Sequence, residues 1–209
     1  MAATRHSARN PYVVTGSGDG GDPSRRTGNQ GATLAGLTRI GQVITLAIAQ
    51  GGVLILAILW FLSSGKQDEE GLNVVLLAIG AGVFVVNAAA AIIIPRTMRA
   101  AGIRQYRSQA DVPPSAVSVG VSRWDEADAQ AVLPLEDAVL LQRDQTARIV
   151  GQAILEGAAM VNSVFLVLNS HPIHAVLAVV AVAGIVATIP TVDRLRRFLA
   201  EAEAGGSVG

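Results

Sequence analysis

The sequence has no cysteine and few charged residues. Without cysteine the chain can build neither a disulfide framework nor a thiolate metal site. Asp, Glu, Lys and Arg make up only 15% of the 209 residues, whereas hydrophobic residues make up 51%. A soluble domain would carry about a quarter charged residues. The composition therefore argues against an ordinary soluble fold.

Sequence patterns typical of catalysis are also missing. We find no set of nucleophile and base, and the glycine-rich stretch 16–21 lacks the Lys-Ser/Thr pair of a phosphate-binding loop. His171 and His174 are three residues apart, but Asp, Glu and Cys are absent around them, so they do not predict a metal site. We expect no enzymatic activity, no metal and no cofactor.

The apolar residues are concentrated in long segments that are nearly free of charge. Each is roughly 18 to 23 residues long, which is close to the roughly 20 residues that a helix needs to cross a bilayer. A soluble helix would keep a polar stripe at period 3.6, and these segments have none. The sequence therefore predicts an all-α membrane protein with four transmembrane helices, at 40–62, 72–94, 149–168 and 173–190.

The arginines predict how the helices are oriented. They occur before the first segment, between the second and third, and after the fourth. The two short connecting turns contain a single lysine or arginine, Lys66. Basic residues near helix ends resist translocation. We therefore expect both termini on the cytoplasmic side of a bacterial inner membrane.

Five regions follow from this pattern. A disordered cytoplasmic tail covers 1–35, because it has hardly any large apolar side chain. The remaining regions are a transmembrane hairpin at 36–95, a cytoplasmic loop with helical ends at 96–148, a second antiparallel hairpin at 149–190, and an amphipathic C-terminal helix and tail at 191–209.

Several local signals refine these regions. Pro134 suits the first turn of a helix that continues into the third segment. Trp60 and Phe61 are typical of anchors at a membrane interface. The residues after Pro190 place apolar side chains on one helical face and predict a helix lying on the inner surface. The arginine-rich segments are expected to attract anionic lipid headgroups, and no nucleic-acid partner is expected.

The two hairpins share a weak internal repeat. Residues 39–42 (Arg-Ile-Gly-Gln) match residues 148–152 (Arg-Ile-Val-Gly-Gln), and Ile-Pro recurs at 94–95 and 189–190. A duplicated hairpin with both copies in the same orientation would explain the match. The composition shared by all membrane hairpins is the alternative explanation.

Glu156 is the most informative single residue, because an ionisable side chain inside a span is costly. At 1.5 Å per residue, Glu156 lies about 4 Å from the midplane, Asn87 about 6 Å and Gln50 about 1 to 2 Å. We therefore predict a shared polar layer in which a protonated Glu156 donates to Asn87 or Gln50. Small residues of the fourth segment are expected to pack against Ala153 and Gly157.

This layer has two interpretations. In the first, it holds together a membrane protein with a structural or accessory role, alone, as a homo-oligomer or within a membrane complex. In the second, Glu156, Asn87 and Gln50 form a proton or sodium site of a translocating subunit.

The segment 140–168, which includes Gln145-Thr146-Ala147-Arg148-Ile149 and Leu155-Glu156-Gly157-Ala158, resembles small four-span membrane proteins of planctomycete bacteria. That resemblance implies the four-span fold and no particular activity. More distantly, Gly and Ala before a mid-membrane Glu are similar to the carboxylate helix of ATP synthase rotor-ring c subunits. The polar Arg-Gln-Pro loop of those subunits is missing here, and the central loop is longer.

Overall fold

The structure is a computed structural model that describes residues 31–64, 73–109 and 128–204. The described residues form five helices, which belong to one compact unit. They are α1 (Leu34–Ser64), α2 (Val74–Gln109), α3 (Leu135–Asn169), α4 (Pro172–Ala187) and α5 (Val192–Ala204).

Three helices are long and apolar enough to cross a membrane, namely α1, α2 and α3. α4 and α5 together make a fourth candidate, although the chain bends by 69° between them. Each of the first four helices also exposes large aliphatic side chains, for example Val43, Val85, Val164 and Val179. Such an extended apolar surface is unfavourable in water. These features suggest a membrane protein and agree with the all-helical, multi-span prediction at this level.

α3 is the central helix of the bundle. It packs against α2 along much of its length and also against α1 and α4. α1 and α2 are consecutive in the described chain but do not contact each other, because α3 lies between them. The first predicted hairpin is therefore not a packed helix pair, whereas α3 and α4 do pack together.

Two glycines allow close contacts with the prolines of the predicted repeat. A Cβ atom on Gly41 of α1 would lie 2.7 Å from Cγ of Pro190, and one on Gly151 of α3 would lie 2.9 Å from Cγ of Pro95. The repeat matches Gly41 with Gly151 and Pro95 with Pro190, so each copy supplies the glycine for the other copy's proline. The duplication itself stays a prediction.

α2 and α3 are longer than the predicted spans. α2 continues through the buried Pro95 to Gln109, so the basic stretch after the second span is helical. α3 begins at Leu135, directly after Pro134, and confirms the continuous helix that leads into the third span. Proline can occupy the start of a helix because it lacks an N–H that would need a partner there.

The C-terminal part of α2 and the N-terminal part of α3 form a hydrophobic core with α5. α5 is amphipathic as predicted, but its apolar side chains are buried against protein rather than exposed for a lipid surface. The extended ends of α2 and α3 provide this protein surface. The core contains Leu195, Phe198, Leu199 and Ala202 of α5 together with Ile103, Leu140 and Leu141. Arg107 Nε fastens the far end of α5 by donating to the carbonyl of Ala202 over 3.0 Å.

The segment before α1 also contributes to this region. Thr33 forms an isolated antiparallel bridge with Val132, and the amide of Leu133 donates to the carbonyl of Ala32 over 2.8 Å. α1 then begins at Leu34, so the last residues of the predicted tail are ordered in contact with the segment before α3. α1 therefore begins before the predicted first span, which starts at residue 40.

Some predictions concern residues outside the described part of the chain. These are the disordered tail as far as residue 30, the acidic turn at 65–72, the middle of the central loop at 110–127, which includes Trp124, and the C-terminal residues 205–209.

Candidate functional site

The structure does not join the predicted layer of Gln50, Asn87 and Glu156 by hydrogen bonds within the described residues. Gln50 is exposed on α1, and Asn87 is half-buried and donates through Nδ2 to its own helix, at the carbonyl of Val83, over 2.8 Å. Glu156 is also half-buried, with Oε1 3.5 Å from the position that a Cβ of Gly51 would occupy. Its carboxyl group thus lies beside the bare backbone of α1.

The small residues of α4 pack as predicted, but against a different face of α3. Ala178 and Ala181 are buried in one cluster with Ala158 and Ala159. Gly157 is exposed, and a Cβ there would meet nothing within 4 Å. The expectation that Ala153 and Gly157 make this contact is therefore wrong. Helical periodicity places them about 100° or more away from Ala158 and Ala159.

One helix-joining polar cluster is centred on Gln152, which is 1% exposed. Its Nε2 donates to the hydroxyl of Thr45 on α1 and to that of Thr188 after α4, each over 2.8 Å. Both hydroxyls use their own hydrogens on backbone carbonyls, Thr45 on Gly41 and Thr188 on Ile185. They are therefore available as acceptors, and one amide connects α1, α3 and the end of α4. We call these residues the glutamine cluster.

The Gln152 side chain also lines a small cavity between α1, α3 and Pro190. Its volume is about 20 Å³, which is enough for about one water molecule. Gln152 Oε1 is buried and accepts no hydrogen bond from the described protein atoms. A water molecule donating to this oxygen would fit both the cavity and the chemistry of the group.

A second cluster lies at the opposite end of the bundle, around the fully buried His174 and Asn162. His174 Nδ1 is 3.2 Å from Asn162 Oδ1, and His174 Nε2 is 3.3 Å from Asn169 Nδ2. Nδ1 faces an acceptor and Nε2 faces a donor, so the arrangement suits a neutral imidazole with its proton on Nδ1. We call these residues the histidine cluster.

The histidine cluster connects three helices. Asn162 Nδ2 donates to the carbonyl of Ala158 in its own helix over 3.0 Å, and to that of Gly80 in α2 over 3.4 Å. Asn169 Oδ1 accepts from the backbone amide of Asn73, just before α2, over 3.0 Å. α2, α3 and α4 are therefore held together by side chains that leave few polar atoms facing the apolar surroundings.

The two histidines have different roles. His171 is the N-cap of α4, and its side chain accepts from the amide of Ile173. His174 lies one turn further along, where its ring packs on Phe165 with centroids 5.7 Å apart. Each side chain thus has a distinct structural partner.

A buried ionic cluster lies near the start of α3, at the end of the bundle opposite the histidine cluster. Most of the described arginines are at this end of the bundle, which we call the basic end. Asp144 is 3% exposed and accepts from Arg148 Nε over 2.7 Å. Its other oxygen is 2.6 Å from Arg99 Nε of α2. One carboxylate therefore contacts two guanidinium groups and joins α2 to α3.

The sequence interpretation missed the residues at the centre of these clusters. Gln152 and Asn162 lie inside the third predicted span, and their uncharged polar side chains are the signal that could have identified them. Asp144 lies in the predicted central loop, 96–148, where a charged residue needs no partner.

The chain matches no protein-family model, no curated protein and no solved structure. The resemblances described from the sequence therefore stay predictions. The described residues form an all-helical bundle with three to four candidate membrane-spanning helices, joined by buried polar clusters, and this suggests a membrane protein.

Proposed function

We propose that this protein is a non-enzymatic integral membrane protein with a structural or accessory role, held together by polar side chains between its helices. The observation that carries the proposal is that the buried polar side chains form hydrogen bonds between helices. Gln152, Asn162 and His174 all bind other helices, and these bonds leave no open catalytic constellation around them. In an apolar environment such bonds hold helices together because few other partners are available.

The distribution of charge supports an orientation with both termini in the cytoplasm. The arginines of α2 and α3 lie in the parts of these helices that pack with α5, and α5 contributes three more. Basic residues accumulate on the cytoplasmic side of membrane proteins. We therefore place the basic end in the cytoplasm of a bacterial cell, with the histidine cluster near the outer face of the inner membrane.

A second candidate function rests on Glu156. Its carboxyl group lies within the apolar part of α3, is half-buried, and has no hydrogen-bond partner among the described residues. An acid at such a depth is costly to charge and is often functional. A proton or a sodium ion bound there would make the protein a translocating subunit, with Asn87 or Gln50 as further oxygen ligands after rearrangement.

The substitution Glu156→Gln separates the two functions. A structural role predicts that the variant folds and assembles like the wild type, because Gln keeps the shape and can donate a hydrogen bond. Translocation predicts that an apolar carbodiimide labels Glu156 in membranes and that labelling falls with added sodium or rising pH. Glu136→Gln, which changes an exposed acid at the start of α3, is the control.

The outcomes point in opposite directions. If carbodiimide never labels the wild type, and Glu156→Gln folds and assembles like the wild type, the translocation function is wrong. If labelling is specific to Glu156 and the variant loses a cation flux in proteoliposomes, the structural role is insufficient.

A further inference from the structure

An open cleft lies at the basic end, where the chain turns from α4 into α5. Its volume is about 360 Å³, within the range of roughly 300 to 1,000 Å³ that is typical of small-molecule sites. Its lining includes the last residue of α4, Ala187, and the buried Phe198. The charged side chains that line it are Arg99, Arg148, Arg194, Arg197, Asp144 and Glu201.

The cleft has an excess of positive charge. Four arginines face two carboxylates, which leaves a formal excess of two positive charges. Asp144 is shared by Arg99 and Arg148, so it offsets only one of that pair. Arg194 and Arg197 form no ion pair among the described residues and donate to backbone carbonyls instead. Such a cleft favours an anion.

The arginines are also held in place before any ligand arrives. Arg148 Nε and Nη2 both bind one oxygen of Asp144, and Arg194 Nη1 binds the carbonyls of Ala187 and Ile189 over 2.9 and 3.1 Å. These bonds use only some of the five N–H groups of each guanidinium. The remaining donors suit a tetrahedral oxyanion, since guanidinium groups match phosphate geometry well.

The position of the cleft identifies the source of the phosphate. α4 ends as a candidate membrane span at Ala187, and the chain then bends by 69° into α5. The cleft therefore opens at the boundary between apolar helices and the charged end, where lipid headgroups lie. Basic pockets between helices at this boundary suit anionic headgroups.

We propose that this cleft binds the phosphate group of an anionic phospholipid at the cytoplasmic end of the bundle. The proposal rests on the proposed placement of the protein in a membrane, and it adds a defined site to the general attraction of arginines to a charged surface. Arg197 and Arg194 reach the phosphate from α5, while Arg148 and Arg99 meet it from the other side of the cleft.

The test uses the full chain in nanodiscs of phosphatidylcholine with or without phosphatidylglycerol, and counts retained lipid by native mass spectrometry. Arg197→Gln removes one charge from the cleft, and among the described residues Arg197 forms one long hydrogen bond, at 3.4 Å to the carbonyl of Asp193. We expect this variant to bind phosphatidylglycerol about fivefold more weakly. Glu201→Gln removes a negative charge from the cleft and should bind it more tightly.

Arg96→Gln is the matched control, because Arg96 is exposed on α2 about one turn before Arg99 but does not line the cleft. Equal weakening by Arg96→Gln and Arg197→Gln would show a diffuse surface attraction and overturn the site. Inorganic phosphate at millimolar concentration is added as a competitor in the same measurement. If it displaces the retained phosphatidylglycerol from the wild type, the cleft binds a free anion and the lipid assignment is overturned.

Two further measurements keep the result interpretable. Arg197→Lys keeps the charge and should recover most of the binding, which a folding defect in Arg197→Gln would not allow. Retention of every variant in carbonate-washed membranes reports on membrane integration separately. Loss of integration in the wild type would contradict the proposed function, whereas loss of lipid selectivity alone would contradict only the cleft.

Discussion

Gly80 of α2 and His174 of α4 are so close that a single methyl group would not fit between them. A Cβ atom on Gly80 would lie 2.6 Å from Cε1 of the imidazole and 3.0 Å from Oδ1 of Asn162. The absence of a side chain at residue 80 is therefore what allows the histidine cluster to form against the backbone of α2.

Gly80→Ala is expected to destabilise the protein by about 1 to 3 kcal/mol, because the added methyl group overpacks the buried imidazole. Gly82→Ala is the control, since a Cβ there would meet nothing within 4 Å. Alanine should stabilise α2 at that position by about 0.5 to 1 kcal/mol. Thermal unfolding in detergent compares the two variants, and equal melting temperatures would contradict the described contact.

Asn162→Ala should cost about 1 to 3 kcal/mol, because it leaves the buried Nδ1–H of His174 without its acceptor. Ser163→Ala is the control. Ser163 is equally buried, but its hydroxyl binds only the carbonyl of Ala159 in the same helix, over 2.8 Å. Chemical denaturation in mixed micelles gives both free energies of unfolding. A loss for Ser163→Ala as large as that for Asn162→Ala would argue against a helix-joining role for the histidine cluster.

Thr45→Val should destabilise the glutamine cluster by about 1 to 3 kcal/mol, since one Nε2 hydrogen of the buried Gln152 loses its acceptor. Thr45→Ser keeps the hydroxyl and should retain most of the stability. The same unfolding measurement separates the contribution of the Thr45 hydroxyl from that of its methyl group. If the serine variant is as unstable as the valine variant, the threonine methyl group contributes as much as the hydroxyl, and the bond to Gln152 is not the main contribution of Thr45.

Asp144→Ala is predicted to be the most damaging of these substitutions, at about 3 to 5 kcal/mol, because it removes a buried carboxylate and leaves the nearly buried Arg148 and the partly exposed Arg99 without a counter-charge. Asp193→Ala removes an acid whose pair with Arg196 spans 3.8 Å and whose side chain is 76% exposed. An exposed pair of that kind contributes less than about 1 kcal/mol. Chemical denaturation in mixed micelles would reveal the difference, and a loss of stability in Asp144→Ala no larger than that in Asp193→Ala would contradict the prediction.

The general class of fold could be predicted because it depends on long runs of similar residues. The run 40–62 remains helical wherever its neighbours lie, since a segment in lipid must satisfy its backbone hydrogen bonds internally. Pro134 likewise marked the start of α3 through its own covalent structure. These signals are local, so a single sequence is enough to read them.

Partners between helices could not be predicted in the same way. The depth of Gln50, Asn87 and Glu156 follows from residue number, but their rotation about each helix axis depends on which helices are neighbours. α3 turns Gln152 toward α1 and Gly151 toward α2, and that choice results from packing around Pro95 and Pro190. The same limitation affected α5, whose apolar face indicates burial but does not specify lipid or protein.

The central position of α3 has a consequence for biosynthesis. α1 and α2 emerge from the ribosome first but do not contact each other, and their helical neighbours all come later in the described chain. Until α3 has been synthesised, α1 and α2 lack every described helix against which they pack. The packing of the described helices is therefore completed late, and in a chain that stops before Leu135 α1 and α2 would lack the described helices against which they pack.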